Sequence, residues 1–117
     1  MRQSERQKIQ QLLRLDHDGL LSLLPAYDPK YEHTRFAPEG QLSAGKEIFE
    51  RLKKVLYERV CVDWDYCRKR KSDKYQDQVV LVASVADVIS AVTVGIPPFV
   101  IATLLFKIGL GRFCDCE

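Results

Sequence analysis

Apolar positions recur at helical spacing along most of this chain. Ile9, Leu12 and Leu13 fall on one face and predict a helix over about 5–15. Ser4 and Gln7 stand ahead of that stripe at the spacing of a capping box. Asp16-His17-Asp18-Gly19 breaks it and offers a new cap. Leu20, Leu21, Leu23 and Leu24 then predict a short second helix, stopped by Pro25. Further on, Phe49, Leu52, Leu56, Val60, Trp64 and Cys67 recur at steps of three or four, with Ile48 and Val55 widening the stripe. This pattern predicts a long amphipathic helix over 43–71, capped by Ser43 and closed by Arg68-Lys69-Arg70-Lys71, where cations suit the negative end of the macrodipole. Val60, Val62, Trp64 and Tyr66 also alternate as a strand would, but no second strand is there to pair with them.

The pattern changes after residue 72. Residues 88–106 form a run of 19 without a charge, and only Asp87 interrupts the apolar character back to Val79. A helix of that length spans roughly 28 Å, close to the hydrocarbon thickness of a bilayer. Arg68, Lys69, Arg70, Lys71 and Lys74 precede the run, and Lys107 and Arg112 follow it, which would place the N-terminal part on the cytoplasmic side. Gly95 and Pro97-Pro98 stand at its centre, however. Consecutive prolines remove two backbone donors, and lipid offers the freed carbonyls no partner. Splitting there leaves two apolar helices, 79–94 and 98–108, each of core-helix length. The one-sided N-terminal helices also need a fully apolar surface to pack against. The preferred reading is therefore an all-α fold: a small helical bundle of about five helices around a buried apolar hairpin (79–94, 98–108). The membrane segment 79–106 is the alternative.

Residues 25–42 fall outside both periodicities. Pro25, Pro29, Pro38 and Gly40 argue against regular structure, yet the segment carries Tyr27, Tyr31, His33, Arg35 and Phe36. A connection of this length is either packed by its own aromatics or functional. Tyr27, Tyr31, Arg35 and Phe36 are the candidate partner-binding residues, because aromatic and arginine side chains dominate binding hot spots. The chain then divides into N-terminal helices (1–24), this loop (25–42), the long helix (43–71), the apolar pair (72–111) and a cysteine-containing tail (112–117), all in one domain.

Composition narrows the chemistry. The apolar fraction of 46% suits a globular chain, and a net charge of +2 gives no strong field towards nucleic acid. The N-terminal residues show no apolar leader, which predicts a cytoplasmic start and reduced cysteines. The basic run 68–71 with Lys74 lies between Tyr66 and Tyr75 and resembles a phosphate-contacting patch, but helix capping accounts for it equally. Cys61, Cys67, Cys114 and Cys116 do not have the spacing of a zinc knuckle, so no metal or other cofactor is expected. His17 and His33 are the groups able to serve as unperturbed acid–base residues near neutrality, and no nucleophile or phosphate-loop motif accompanies them. Asp87, inside an apolar helix beside Ser84 and Ser90, is expected to be a buried carboxylate paired with a cation such as Lys107 or Arg112. Together these features predict a non-enzymatic, cytoplasmic interaction or adaptor module that binds a protein partner or itself. The alternatives are a small membrane-anchored effector and a thiol redox- or metal-responsive protein.

Overall fold

The computed structural model describes residues 2–31, 34–93 and 95–116. Among them there is no strand, and seven α-helices follow in order: α1 (Gln3–Leu13), α2 (His17–Leu21), α3 (Pro38–Tyr57), α4 (Tyr66–Lys69), α5 (Gln78–Ile89), α6 (Pro98–Ile108) and α7 (Leu110–Phe113). The fold is thus all-helical. It has more and shorter elements than the five expected.

Helix α6 is the hub. Pro98 sits at its first position, where a missing amide costs nothing. Six successive residues, Val100 to Leu105, are all buried. The hydroxyl of Thr103, the polar member of this run, donates to the Phe99 carbonyl at 2.7 Å, so no donor is stranded. Helices α1, α2, α5 and α7 all pack against α6. Around it lies one core containing Ile9, Leu20, Val82, Val85 and Ile89, with Leu24 from the turn after α2, each fully enclosed. Gly109 closes α6 with φ +102°, a conformation a side chain would strain, and its amide donates to the carbonyls of Leu105 and Phe106 at 3.1 Å.

Helix α5 begins where the Asp77 carboxylate accepts from the Val79 amide at 2.9 Å, and it ends at Ile89, short of the expected 94. Val94 itself lies outside the described residues. Gly95 takes φ +81° in the connection to α6. Among the described residues no helix is long and apolar enough to cross a membrane.

Three local expectations are corrected. Helix α1 starts at Gln3 and has no side-chain cap, so Ser4 and Gln7 lie within the helix instead of forming a capping box. Helix α3 starts at Pro38, not at Ser43. Proline there occupies the first helical position and Glu39 suits the positive helix end, which together carry the helix through Gly40. The predicted long helix also does not run to residue 71. It widens into π-helical turns over Glu58–Asp63 and breaks at Asp65, which adopts φ 57°. Aspartate tolerates that left-handed conformation better than most residues. Leu56 and Val60 are fully buried, whereas Trp64 is only half-buried, packed edge-on against Tyr75 at 5.3 Å and stacked near Tyr66 at 6.3 Å.

The cysteines are a fourth correction. They are paired, Cys61 with Cys114 and Cys67 with Cys116, across Cα–Cα distances of 5.2 and 5.4 Å. The π-helical turns and the break at Asp65 take Cys61 and Cys67 off one regular helix, so each can meet a cysteine of the tail. Both bridges fasten the tail after α7 to the end of the α3 region. Each closes a long loop, of 53 and 49 residues in sequence separation, and so restricts the unfolded chain; such a bridge typically contributes ~2–4 kcal/mol.

Helices α2 and α3 approach each other closely at Gly45. A Cβ there would lie 2.0 Å from the Leu21 carbonyl oxygen. Gly45→Ala should therefore destabilise the protein by about 1–3 kcal/mol or more, as over-packing does. At Gly40 the nearest atom to an added Cβ is a Phe36 ring carbon at 3.4 Å, so Gly40→Ala should be neutral or gain up to ~1 kcal/mol from helix propensity. Urea midpoints for the two variants should move in different directions. Equal shifts would show that Gly45 is not a point of close contact.

Candidate functional site

The segment 25–41 is less irregular than its prolines suggest. Two 3-10 turns, Leu24–Tyr27 and Pro29–Tyr31, carry the chain across the side of α3. Leu24 and Pro25 are buried and anchor the first turn. Polar contacts then fasten the segment to α3. The Arg51 guanidinium pairs with the Asp28 carboxylate. Glu47 accepts from the Lys30 ammonium at 2.9 Å and from the Tyr31 hydroxyl at 2.7 Å. Further along, the Gln41 side chain donates to the Ser22 carbonyl at 2.6 Å.

These contacts explain the electrostatics. The Lys30 backbone amide, followed by the Arg51 guanidinium, holds the Asp28 carboxyl below its ordinary range. The Lys30 ammonium and then the Tyr31 hydroxyl do the same for Glu47. In return, the Glu47 carboxylate raises both Lys30 and Tyr31.

The four candidate residues divide in two. Tyr31 and Phe36 are half-buried and meet edge-on, with ring centroids 5.4 Å apart, so they close the segment on itself. Tyr27 is 42% exposed and Arg35 is exposed. Tyr27 borders a depression of about 150 Å³ whose other walls include Asp28, Arg51, Leu52 and Ile96. A second depression, of about 370 Å³, lies between Pro25, Tyr31, Phe36 and Gln41. The segment therefore presents one aromatic and one cationic side chain from a braced backbone. Glu32 and His33 lie outside the described residues, and with them the acid–base candidate His33.

The remaining candidates are placed elsewhere. His17 is exposed, its Nδ1 3.3 Å from an Asp18 carboxylate oxygen. Asp87 is exposed instead of buried, and no cation lies within ion-pair distance of it among the described residues. The apolar pattern around Asp87 had suggested burial on all sides, but α5 leaves one edge to solvent, where Asp87 and Ser90 both lie. The four cysteines carry no thiolate while bridged, and among the described residues no group of three His, Cys, Asp or Glu side chains is arranged to hold a metal. What the sequence did not signal was the bracing of the loop: Glu47 and Arg51 are one turn apart on α3, a spacing that reads as an ordinary solvated face.

The bracing carboxylates set a pH dependence. Their folded-state pKa values are depressed, so the stability they add is present above their unfolded values and is lost as pH falls through the folded ones. The contribution should be constant near neutrality and disappear below about pH 4. Urea midpoints measured from pH 7 to pH 2.5 should fall more steeply for the native chain than for Asp28→Asn/Glu47→Gln. Parallel curves would show that these pairs do not hold the segment.

No family model, no curated protein and no solved structure matches this chain.

Proposed function

We propose that this protein is a non-enzymatic binding module whose contact surface is the segment 25–41, with Tyr27 and Arg35 as its anchors and a protein partner or a second copy as its ligand. The observation that carries this reading is the exposure of Tyr27 on a backbone braced by Asp28, Lys30 and Tyr31. A pre-ordered aromatic loses little conformational freedom on binding, and tyrosine joins a large contact area to a polar tip. Tyr31 and Phe36 belong to the bracing and are read as supports.

The bridged cysteines bear on where such a module works. Disulfides persist in oxidising compartments and are rare in the cytosol. Two bridges therefore favour an oxidising setting over the cytoplasmic one expected from the N-terminal residues. A redox-responsive role in a reducing compartment is the second reading, and it rests on the same bridges. The membrane-anchored alternative is not the reading preferred, since the apolar run is divided between α5 and α6 and no described helix is long and apolar enough to cross a membrane.

Tyr27→Ala and Arg35→Ala should each weaken binding without unfolding the chain, because both side chains are exposed. A hot-spot loss is on the order of 2 kcal/mol, about thirtyfold in affinity. Sedimentation of the isolated chain measures self-association. Affinity for a cross-linked and purified partner measures hetero-association. Unchanged association in both variants would end the proposal.

A further inference from the structure

A second surface lies on another face of α3. Successive helix positions turn by about 100°, so Lys46, Phe49, Glu50, Lys53 and Tyr57 form a stripe well separated from Glu47 and Arg51. This stripe faces α2, the end of α6 and α7 across an open groove. One half of the groove, about 310 Å³, has a floor of Leu21, Phe49, Ile108 and Phe113. The other half, about 380 Å³, continues along Lys53, Lys54 and Tyr57 and shares Glu50, Lys53 and Phe113 with the first. Phe113 is half-buried, meets the Tyr57 ring edge-on at 6.1 Å, and precedes the bridged Cys114. The wall that Phe113 forms is therefore held covalently to the end of the α3 region.

The charges around this apolar floor are unequal. Lys46, Lys53 and Lys54 line it, against one carboxylate, Glu50. Lys53 lies 3.7 Å from Glu50. Among the described residues, neither Lys46 nor Lys54 has a carboxylate within ion-pair distance. His17 at the groove's end is matched by Asp18, outside the lining. An aromatic floor beneath unpaired ammonium groups is complementary to a molecule with an apolar chain and a negative head. Each half is of the size that holds small ligands, roughly 300–1,000 Å³.

We propose that the groove between α3 and α7 binds a small anionic amphiphile, an acyl chain ending in a carboxylate. The chain lies over Phe49, Ile108 and Phe113, the head is held by Lys54 beside Lys53, and Lys46 adds positive charge at the other end of the groove. Charge-assisted hydrogen bonds to the carboxylate supply orientation, and burial of the chain supplies most of the driving force.

Amide chemical-shift titrations of the disulfide-bonded protein with decanoate, decanol and decyltrimethylammonium, all below micelle-forming concentration, test this. Decanoate should bind saturably, with shifts confined to 46–57 and 108–113. The cationic probe should bind at least about tenfold more weakly. Lys46→Glu/Lys54→Glu should weaken decanoate by about tenfold and leave the thermal midpoint unchanged, because both side chains are exposed and unpaired. Tyr57→Ser should weaken decanoate and decanol alike. Equal binding of all three probes would mean a plain apolar surface and overturn the proposal. So would shifts elsewhere, no saturation, or a charge-reversed variant that binds decanoate normally.

Discussion

The structure depends on burying one helix on every side. Val100 to Leu105 cannot be exposed on any face, and covering them recruits α1, α2, α5 and α7. Full burial of a Val, Leu or Ile side chain stabilises by about 1.5–3 kcal/mol, so this short run and its partners dominate the favourable side of folding. Pro97 and Pro98 end the preceding connection and start α6 afresh, which leaves an 11-residue helix.

Around this hub the periphery is fixed by other means. Helix α7 has four residues, of which only Leu110 is buried. The two disulfides tie the chain just beyond it to the π-helical turns and to α4. This places Phe113 beside Tyr57 and gives the α3 groove a fixed wall. On another flank, weaker surface ion pairs do the positioning: Glu47 and Arg51 hold the 25–31 turns against α3. Helix α3 is thus bounded by a covalently set surface on one face and an ion-paired one on another, and both present aromatic and cationic side chains.

The hub and the helical class were legible in the sequence because hydrophobic spacing reports burial directly. Ile9, Leu20, Leu56 and the 98–108 run were all placed in helices that the structure contains, and Val60 is buried although it lies in the π-helical turns. Three kinds of feature were hidden. Helix ends depend on local geometry, and Pro38 reads as a breaker until it is seen at a first helical turn. The cysteine pairs depend on the π-helical turns and on Asp65, neither of which leaves a periodic trace. Asp87 stood in an apolar context that implied burial, but a helix buried on most sides still has an edge, and one residue can occupy it. The candidate surface was legible in part. Tyr27 and Arg35 were separable from Tyr31 and Phe36 only once Glu47 was found beneath the loop.

Helix α6 is the centre of one cooperative core. Native-state hydrogen exchange of the disulfide-bonded protein measures this most directly. The amides of Val100 to Leu105 should exchange only through global unfolding, with opening free energies equal to the stability from urea denaturation, while the turns at 24–31 exchange through smaller local openings. If the α6 amides exchanged as readily as those turns, the helix would not be the buried hub, and the packing described above would be contradicted.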